Sequence, residues 1–226
     1  MCGRTTLTIT AEDLRRTFGY TPPAGYRPRY NIAPTQNLLA LRDDREGRGL
    51  VELRWGLIPF WADDPAIGNR LINARAETVG TTPAFRDAFE RRRCLIIVDG
   101  FYEWQRGPGG KRPFRIHRSD GSAFTLAGLW DRWRRGEQVV ESCTIVTCPA
   151  NDLVRPLHDR MPVILPSERW EEWLGTGTPY EDLVALLRPY AGDDLAAYEV
   201  STLVNDPAND REACIEPVVS EVLSLF

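Results

Sequence analysis

Four short stretches of this 226-residue sequence carry side chains fit for chemistry. The first is Met1-Cys2-Gly3-Arg4. Removal of Met1, which the small Cys2 side chain permits, would leave one residue with two nucleophiles, an α-amine and a thiol. Their unperturbed pKa values, about 7.7–8.0 and about 8.5, keep both partly deprotonated near neutrality. An aldehyde would form an imine with the amine. The thiolate would then close a five-membered thiazolidine ring on the same carbon. An internal cysteine cannot do this, because its nitrogen is an amide. Gly3 lets the backbone lie close to a substrate. The plainer alternative is a cysteine without a task in a loose terminus.

The second stretch is Leu71-Ile72-Asn73-Ala74-Arg75-Ala76-Glu77-Thr78. If extended, it sets Asn73, Arg75 and Glu77 on one face and the two alanines on the other. An amide, a guanidinium and a carboxylate would then share a surface; a solvated Arg–Glu pair is the alternative. The third is Val98-Asp99-Gly100-Phe101-Tyr102-Glu103-Trp104. Aromatic neighbours can raise the Glu103 pKa and suit it to acid–base work, unless it sits exposed at a strand edge. The fourth is Arg155-Pro156-Leu157-His158-Asp159-Arg160-Met161-Pro162. Its prolines stiffen the loop, and a histidine held there suits proton transfer, against the reading of a surface histidine.

The elements that must position these residues read as short strands with few helices. Apolar runs near 38–42, 51–55, 94–104, 113–118, 124–133, 139–147, 161–165 and 197–202 predict strands. Helices are predicted at Ala11–Phe18, with Thr10 and Asp13 as a capping box, at 84–90, at 168–174 with Ser167 as N-cap, and at 180–187. This pattern predicts an α+β fold, a curled antiparallel sheet or barrel with helices packed outside, in a single domain over 1–226. No apolar run reaches the roughly 20 residues of a membrane span, and the polar N-terminus is unlike a signal peptide, so a cytoplasmic location is expected.

Charge narrows the chemistry further. The net charge is −4, which does not mark a bulk nucleic-acid binder, so any such site must be a local basic cleft. Of the 28 basic residues 27 are Arg, and the one Lys, Lys111, lies in a Gly- and Pro-rich stretch that reads as an exposed turn. This argues against a Schiff-base enzyme built on a buried Lys; if the protein uses an amine as nucleophile, the α-amine is the natural candidate. The five cysteines, Cys2, Cys94, Cys143, Cys148 and Cys214, form no C-x-x-C, and His117 and His158 are far apart. No structural metal and no cofactor are expected. Cys94 and Cys143 read as core packing.

Taken together, Met1-Cys2-Gly3-Arg4, Arg29-Tyr30-Asn31-Ile32-Ala33-Pro34, Trp55-Gly56-Leu57-Ile58-Pro59, Ile72 to Thr78, Gly100 to Trp104 and Leu157 to Pro162 resemble the SRAP (SOS response-associated peptidase) family. The motifs fall in family order over nearly the whole chain. The tail, Val204-Asn205 and Ile215-Glu216-Pro217-Val218, resembles the family's end. The resemblance implies a β-barrel-like core with peripheral helices. It also implies a DNA-repair role: sensing abasic sites in single-stranded DNA and forming a thiazolidine crosslink through Cys2, a lyase-type activity that shields the lesion. Autoproteolytic loss of Met1 goes with it. Carried over by motif, Cys2 is the nucleophile, and Asn73, Glu103 and His158 surround the ring-opened sugar. Arg4, Arg75 and Arg160 are implied phosphate contacts, and Asn31, Pro34, Trp61 and Thr147 implied neighbours of the DNA. The chain departs at Ala62 and Pro83, where some relatives carry an aromatic residue and an Arg, so contacts there are expected to be weaker. The expected partner is single-stranded DNA with abasic sites, bound by a monomer, with no membrane and with the replication machinery as a further candidate.

Two rival readings remain. An N-terminal-nucleophile amidohydrolase, such as a glutamine amidotransferase, also begins Met-Cys-Gly. It would need its own downstream motifs, and Asn73 is followed by Ala-Arg rather than by a Gly-Glu pair. A non-covalent binding module would lack adduct formation altogether.

Overall fold

At Asp99 the chain passes directly from one sheet to the other, and the N-terminal strand is tied there. The computed structural model describes residues 2–44 and 47–218. In chain order its elements are β1 (Thr5–Leu7), α1 (Ala11–Phe18), β2 (Arg29–Ile32), β3 (Asn37–Asp44), β4 (Gly47–Trp55), β5 (Asn73–Arg75), α2 (Arg86–Arg91), β6 (Arg93–Val98), β7 (Gly100–Gly107), β8 (Gly110–Arg118), β9 (Phe124–Arg135), β10 (Gln138–Pro149), β11 (Arg160–Pro162), β12 (Ile164–Leu165), α3 (Trp170–Leu174), α4 (Tyr180–Ala185) and β13 (Leu195–Glu199).

Strands β10, β4, β3, β6 and β9 pair in a ring that closes through β9 and β10, giving a five-stranded barrel. All its pairings are antiparallel except β4 with β10. Every residue of β6 is buried, as a strand covered on both faces must be, and its sequence Arg-Cys-Leu-Ile-Ile-Val is nearly continuous in apolar residues. β5 adds to the barrel alongside β10, parallel to it, and β11 pairs with β10 from its far end. The second sheet is antiparallel, in the order β13-β8-β7-β1-β2. The fold is thus the mixed α+β barrel with a curled sheet and short helices that the sequence predicts.

Asp99 lies between β6 of the barrel and β7 of the open sheet. It is 1% exposed. Its carboxylate accepts from Thr6 Oγ1, Thr8 N and Thr8 Oγ1, each at 2.5 Å, and pairs with the Arg115 guanidinium at 3.2 Å. The Asp99 amide donates to Thr6 O at 3.0 Å. Arg115 reaches on to the Tyr198 hydroxyl, so one buried network joins β1, β7, β8 and β13. β1 itself pairs with β2 on one edge and β7 on the other.

Local signals explain several boundaries. Helix α1 starts at a capping box between Thr10 and Asp13 and ends on Gly19 in the left-handed region. Gly56, at φ 118°, lets the chain leave β4 beside Gly68: a Cβ on Gly56 would lie 2.5 Å from Gly68 O. Elsewhere the structure differs from expectation. The strand predicted over 94–104 is two strands, broken where Asp99 passes between sheets. The strand predicted at 161–165 breaks at Val163, whose N–H and C=O bond outward to Val146 and Ala127. Ser167 does not cap a helix: it opens a 3-10 turn, and α3 begins only at Trp170. The predicted last strand ends at Glu199, and Thr202 opens a 3-10 turn. Lys111 is exposed but lies in β8, paired with Arg106 beyond the hairpin turn. Cys94 and Cys143 are fully buried in the core, as are the other three cysteines in their surroundings. Among the described residues no helix is long and apolar enough to cross a membrane.

Removing the Asp99 carboxylate leaves Arg115 charged, buried and without its counter-ion. Asp99→Ala should cost about 3–5 kcal/mol of stability, read by urea denaturation. A loss under about 1 kcal/mol would mean that the network is not what holds β1.

Candidate functional site

Register puts Cys2 beside the functional strand β7. Thr5 pairs with Phe101 and Thr6 with Gly100, and Tyr102 N–H donates to Arg4 O at 3.0 Å. The antiparallel step then carries Cys2 and Gly3 towards Glu103. From the barrel side, Asn73 donates through Nδ2 to Cys2 O at 2.8 Å. Asn73 opens β5, which rides parallel to β10 with Asn73 opposite Ile145. Its Oδ1 is buried and has no hydrogen-bond partner among the described residues, so an acceptor is left aimed into the site.

Cys2 is fully buried. Burial pushes its thiol pKa up strongly, and the Glu103 carboxylate adds to the shift. Glu103 is 3% exposed, so it is no rim residue. Burial also raises its pKa, while His158 nearby opposes the rise. His158 is half-buried in a turn whose N–H groups at 157 and 158 both reach Val154 O. The Arg160 amide donates to His158 Nδ1 at 3.0 Å, and an Asp159 carboxylate oxygen lies 2.7 Å from the same nitrogen. A nitrogen that accepts from an amide carries no proton. The Asp159 contact needs Nδ1–H instead, so the two contacts alternate with the position of the ring proton. Cys2, Asn73, Glu103 and His158 thus come together from the segment before β1, from β5, from β7 and from the loop before β11.

The implied DNA contacts divide into two groups. Arg75 and Trp61 are exposed, and Pro34 is half-buried. Pro34 precedes Thr35, which holds φ 75° although it is not glycine. Its N–H donates to Trp55 O at 2.8 Å, which helps hold this costly conformation. Arg160 lies between the groups. It grips Glu77 with two nitrogens at 2.9 Å each, and donates to Thr147 O at 2.6 Å and Thr147 Oγ1 at 3.3 Å. Arg4, Asn31 and Thr147 are buried. Arg4 donates to Asn31 Oδ1 at 2.7 Å and Val204 O at 2.5 Å, with its guanidinium 5.8 Å from the Trp104 ring centroid. Asn31 Nδ2 donates to the carbonyls of Val204, Asp206 and Asn209. Arg4 and Asn31 thereby hold the tail segment against the chain around β1 and β2. Ala62 is 2% exposed, so it faces the core.

Sequence reasoning missed Asp210, whose carboxylate accepts from the Tyr30 and Asn31 amides and pairs with Arg29. No local pattern announces it. It also missed Phe60, exposed next to Trp61; the pair Phe60-Trp61 in a polar loop was the available signal. Among the described residues, no three His, Cys, Asp or Glu side chains gather as a metal site.

With this geometry in place, comparison with known proteins is specific. The family model described as SOS response associated peptidase (SRAP) matches residues 1–207. The abasic site processing protein YoqW of Bacillus subtilis is 45% identical over 222 residues, covering 96% of this chain and 99% of the relative. YedK of Escherichia coli, with the same description, is 32% identical, covering 96% of this chain and 100% of its own. HMCES of Gallus gallus is 31% identical, covering 96% of this chain and 78% of its own. Among solved structures, a protein of Bordetella bronchiseptica is 30% identical with TM-score 0.76, covering 88% of this chain and 100% of that one. One of Bacteroides thetaiotaomicron shares the fold at TM-score 0.86 and 24% identity, covering 96% and 100%. With the family model spanning the barrel, the open sheet and all four convergent residues, the chain belongs to the SOS response associated peptidase (SRAP) family.

Proposed function

We propose that this protein, acting as a single domain, processes abasic sites in single-stranded DNA through a covalent bond from Cys2, formed once Met1 has been removed. The observation that carries the reading is the convergence of Asn73, Glu103 and His158 on Cys2 at the end of a strand locked on both edges. The description of the relatives as abasic site processing proteins supports it. The name of the family fits autoproteolytic removal of Met1, which we include in the reading.

An abasic deoxyribose is mostly a closed hemiacetal, and opening it needs an acid at the ring oxygen and a base at the anomeric hydroxyl. Glu103 and His158 supply the pair. The Cys2 amine then adds to the aldehyde carbon, and the carbinolamine loses its hydroxyl as water, protonated by the acid, to give an imine. Thiol addition to the imine carbon closes the thiazolidine. In sum, aldehyde, amine and thiol give the ring and one water. The burial that raises the thiol pKa orders the steps. The amine attacks first, and the thiol stays protonated until the imine is in place, when a neighbouring base takes its proton. Asn73 fixes the Cys2 backbone and leaves Oδ1 for a sugar hydroxyl. Outside this centre, Arg75 and the remaining N–H of Arg160 take phosphates, Trp61 and Pro34 meet bases, and Arg4, Asn31 and Thr147 hold the walls.

Cys2→Ala should form no denaturation-resistant adduct with an abasic single strand, and neither should a variant with a residue inserted between Met1 and Cys2. The check is a denaturing gel, with mass spectrometry showing Met1 absent from the active protein. A full adduct from either variant would sink the scheme. Ammonia release from glutamine without adduct would instead favour the amidohydrolase.

Glu103→Gln and His158→Ala should each slow single-turnover crosslinking by about 10²–10⁴-fold at saturating DNA. The Glu103 change has a second signature. A carboxyl whose pKa is raised in the folded state holds its proton there more tightly than in the unfolded chain. Its contribution to stability is complete below the ordinary value of 4.5 and is lost as pH rises through the raised one. Glu103→Gln should therefore flatten this part of the stability–pH curve and be the more stable protein at neutral pH, even as it crosslinks slowly. Thermal melts across pH that show the same slope in both proteins would remove the buried carboxylate from the account.

Arg75→Ala should weaken single-strand binding and reduce the slope of log affinity against log salt by about 0.7. An unchanged slope would place the phosphate path elsewhere.

A further inference from the structure

The turn Pro59–Ala62 is closed by Ala62 N–H on Pro59 O at 2.9 Å and places two aromatic residues at its tip. Phe60 is 49% exposed and Trp61 45%. Its backbone is clamped by three alternate residues of β9. The Asp131 carboxylate accepts the Phe60 N–H at 3.0 Å. The Trp133 indole and the Arg135 guanidinium both donate to Ala62 O, at 2.7 and 3.2 Å. Residues two apart on a strand share a face, so the barrel wall itself is the mount. Asp131 and Trp133 are buried, so this clamp does not yield to solvent. Arg92, ion-paired to Asp131 at 3.2 Å, sits 5.7 Å from the Phe60 ring centroid.

The turn is also joined rigidly to the reactive centre. After it the chain runs through the 3-10 turn Pro65–Arg70, packs Gly68 on Gly56, and enters β5 at Asn73. Leu57 N–H donates to Leu71 O at 3.1 Å, and the Trp55 indole to Ile72 O at 2.8 Å. The aromatic tip and Asn73 are thus two ends of one braced segment. Acidic neighbours are occupied: Asp63 pairs with Arg135 at 2.6 Å, and Asp64 caps the 3-10 turn through Ala66 N–H.

We propose that Phe60, with Arg92 beside its ring, is a second stacking face that takes a nucleobase of the same strand whose neighbouring base lies against Trp61. This rests on the single-stranded DNA reading above. Two rings are too small a patch for a stable protein interface, which needs about 800 Å² per partner. The other large exposed apolar residues, Val139, Leu153, Tyr180, Val184 and Val218, lie on other elements and do not extend this tip. A base offers a flat π-face of matching size, and the Arg92 guanidinium beside the Phe60 ring adds a cation to the stack.

The test is equilibrium binding of an undamaged oligothymidylate strand, which does not depend on Cys2 chemistry. Phe60→Ala and Phe60→Leu should each bind about 5- to 150-fold more weakly, Phe60→Tyr close to wild type, and all should keep the wild-type salt slope. Urea midpoints should be alike, since the side chain is exposed. Wild-type affinity in Phe60→Ala overturns the proposal, and so does wild-type affinity in Phe60→Leu, which would show that a ring is not required. So would a concentration-dependent dimer of the wild type that Phe60→Ala abolishes while strand binding holds. Failure to crosslink abasic DNA would refute the covalent reading alone, because this measurement stands apart from it.

Discussion

The carboxylate of Asp99 is the constraint on which the site depends. A nucleophile at a chain terminus is normally the least ordered group in a domain. Here Cys2 lies just ahead of β1, a strand of three residues that could not hold itself. Asp99 accepts from two threonines of that strand region while paired to Arg115, and it sits where the chain crosses from barrel to open sheet. The crossing must be there whatever β1 does. By hanging β1 on that crossing, the fold converts a floppy end into a fixed one. Gly100 follows at once because a Cβ there would come within 2.8 Å of both Arg115 Nε and Thr6 Oγ1.

Once β1 is fixed, its register does the rest. β1 between β2 and β7 brings Cys2 to Glu103 on one side, and β5 brings Asn73 from the barrel on the other. The same burial that orders these groups desolvates them. It pushes both the Cys2 thiol and the Glu103 carboxyl towards their neutral forms. Neutral forms are poor for immediate attack by sulfur and good for donating protons. That suits a sequence in which nitrogen adds first and sulfur closes last. It also means that the centre carries an energetic burden the rest of the fold must offset, a common condition of reactive sites.

How much of this was legible in the sequence depends on range. The capping box of α1, the apolar runs of the barrel and the barrel class itself are written in local pattern, and the structure matches them. For Glu103 the sequence left two readings, a carboxyl among aromatics or an exposed strand edge, and its 3% exposure decides between them. What failed needed knowledge of where the chain goes next. The run 94–104 reads as one strand because nothing local says that Asp99 leaves one sheet for another. Ser167 has the chemistry of a cap, yet the chain tightens into a 3-10 turn there instead. The resemblance implies Arg4 as a phosphate contact and Asn31 as a neighbour of the DNA; that both are buried against carbonyls near residue 204, far along the chain, could not be read from position.

The arginine content shows the same limit. Most of the well-placed guanidiniums are structural. Arg93, 3% exposed, donates to the carbonyls of Phe89, Glu90, Trp173 and Gly175, closing the C-terminal ends of α2 and α3, where a cation complements the helix dipole. Arg42 is buried in ion pairs with Asp44 and Glu141, and Arg48 bridges Asp43 and Glu171. Such pairs neutralise themselves and lend nothing to a distant phosphate. A count of 27 arginines therefore overstates the charge open to a polyanion, and a net charge of −4 understates it locally. What matters is which cations lie beside the reactive centre without being consumed. Arg75 is exposed there, while Arg160 gives most of its N–H groups to Glu77 and Thr147. With few unconsumed cations beside the centre, the proposed strand would be held more by shape and by rings set at fixed positions than by charge. On the proposed reading this is what a rigid aromatic tip on the barrel wall supplies: stacking does not fade with salt as phosphate contacts do, and it recognises any base.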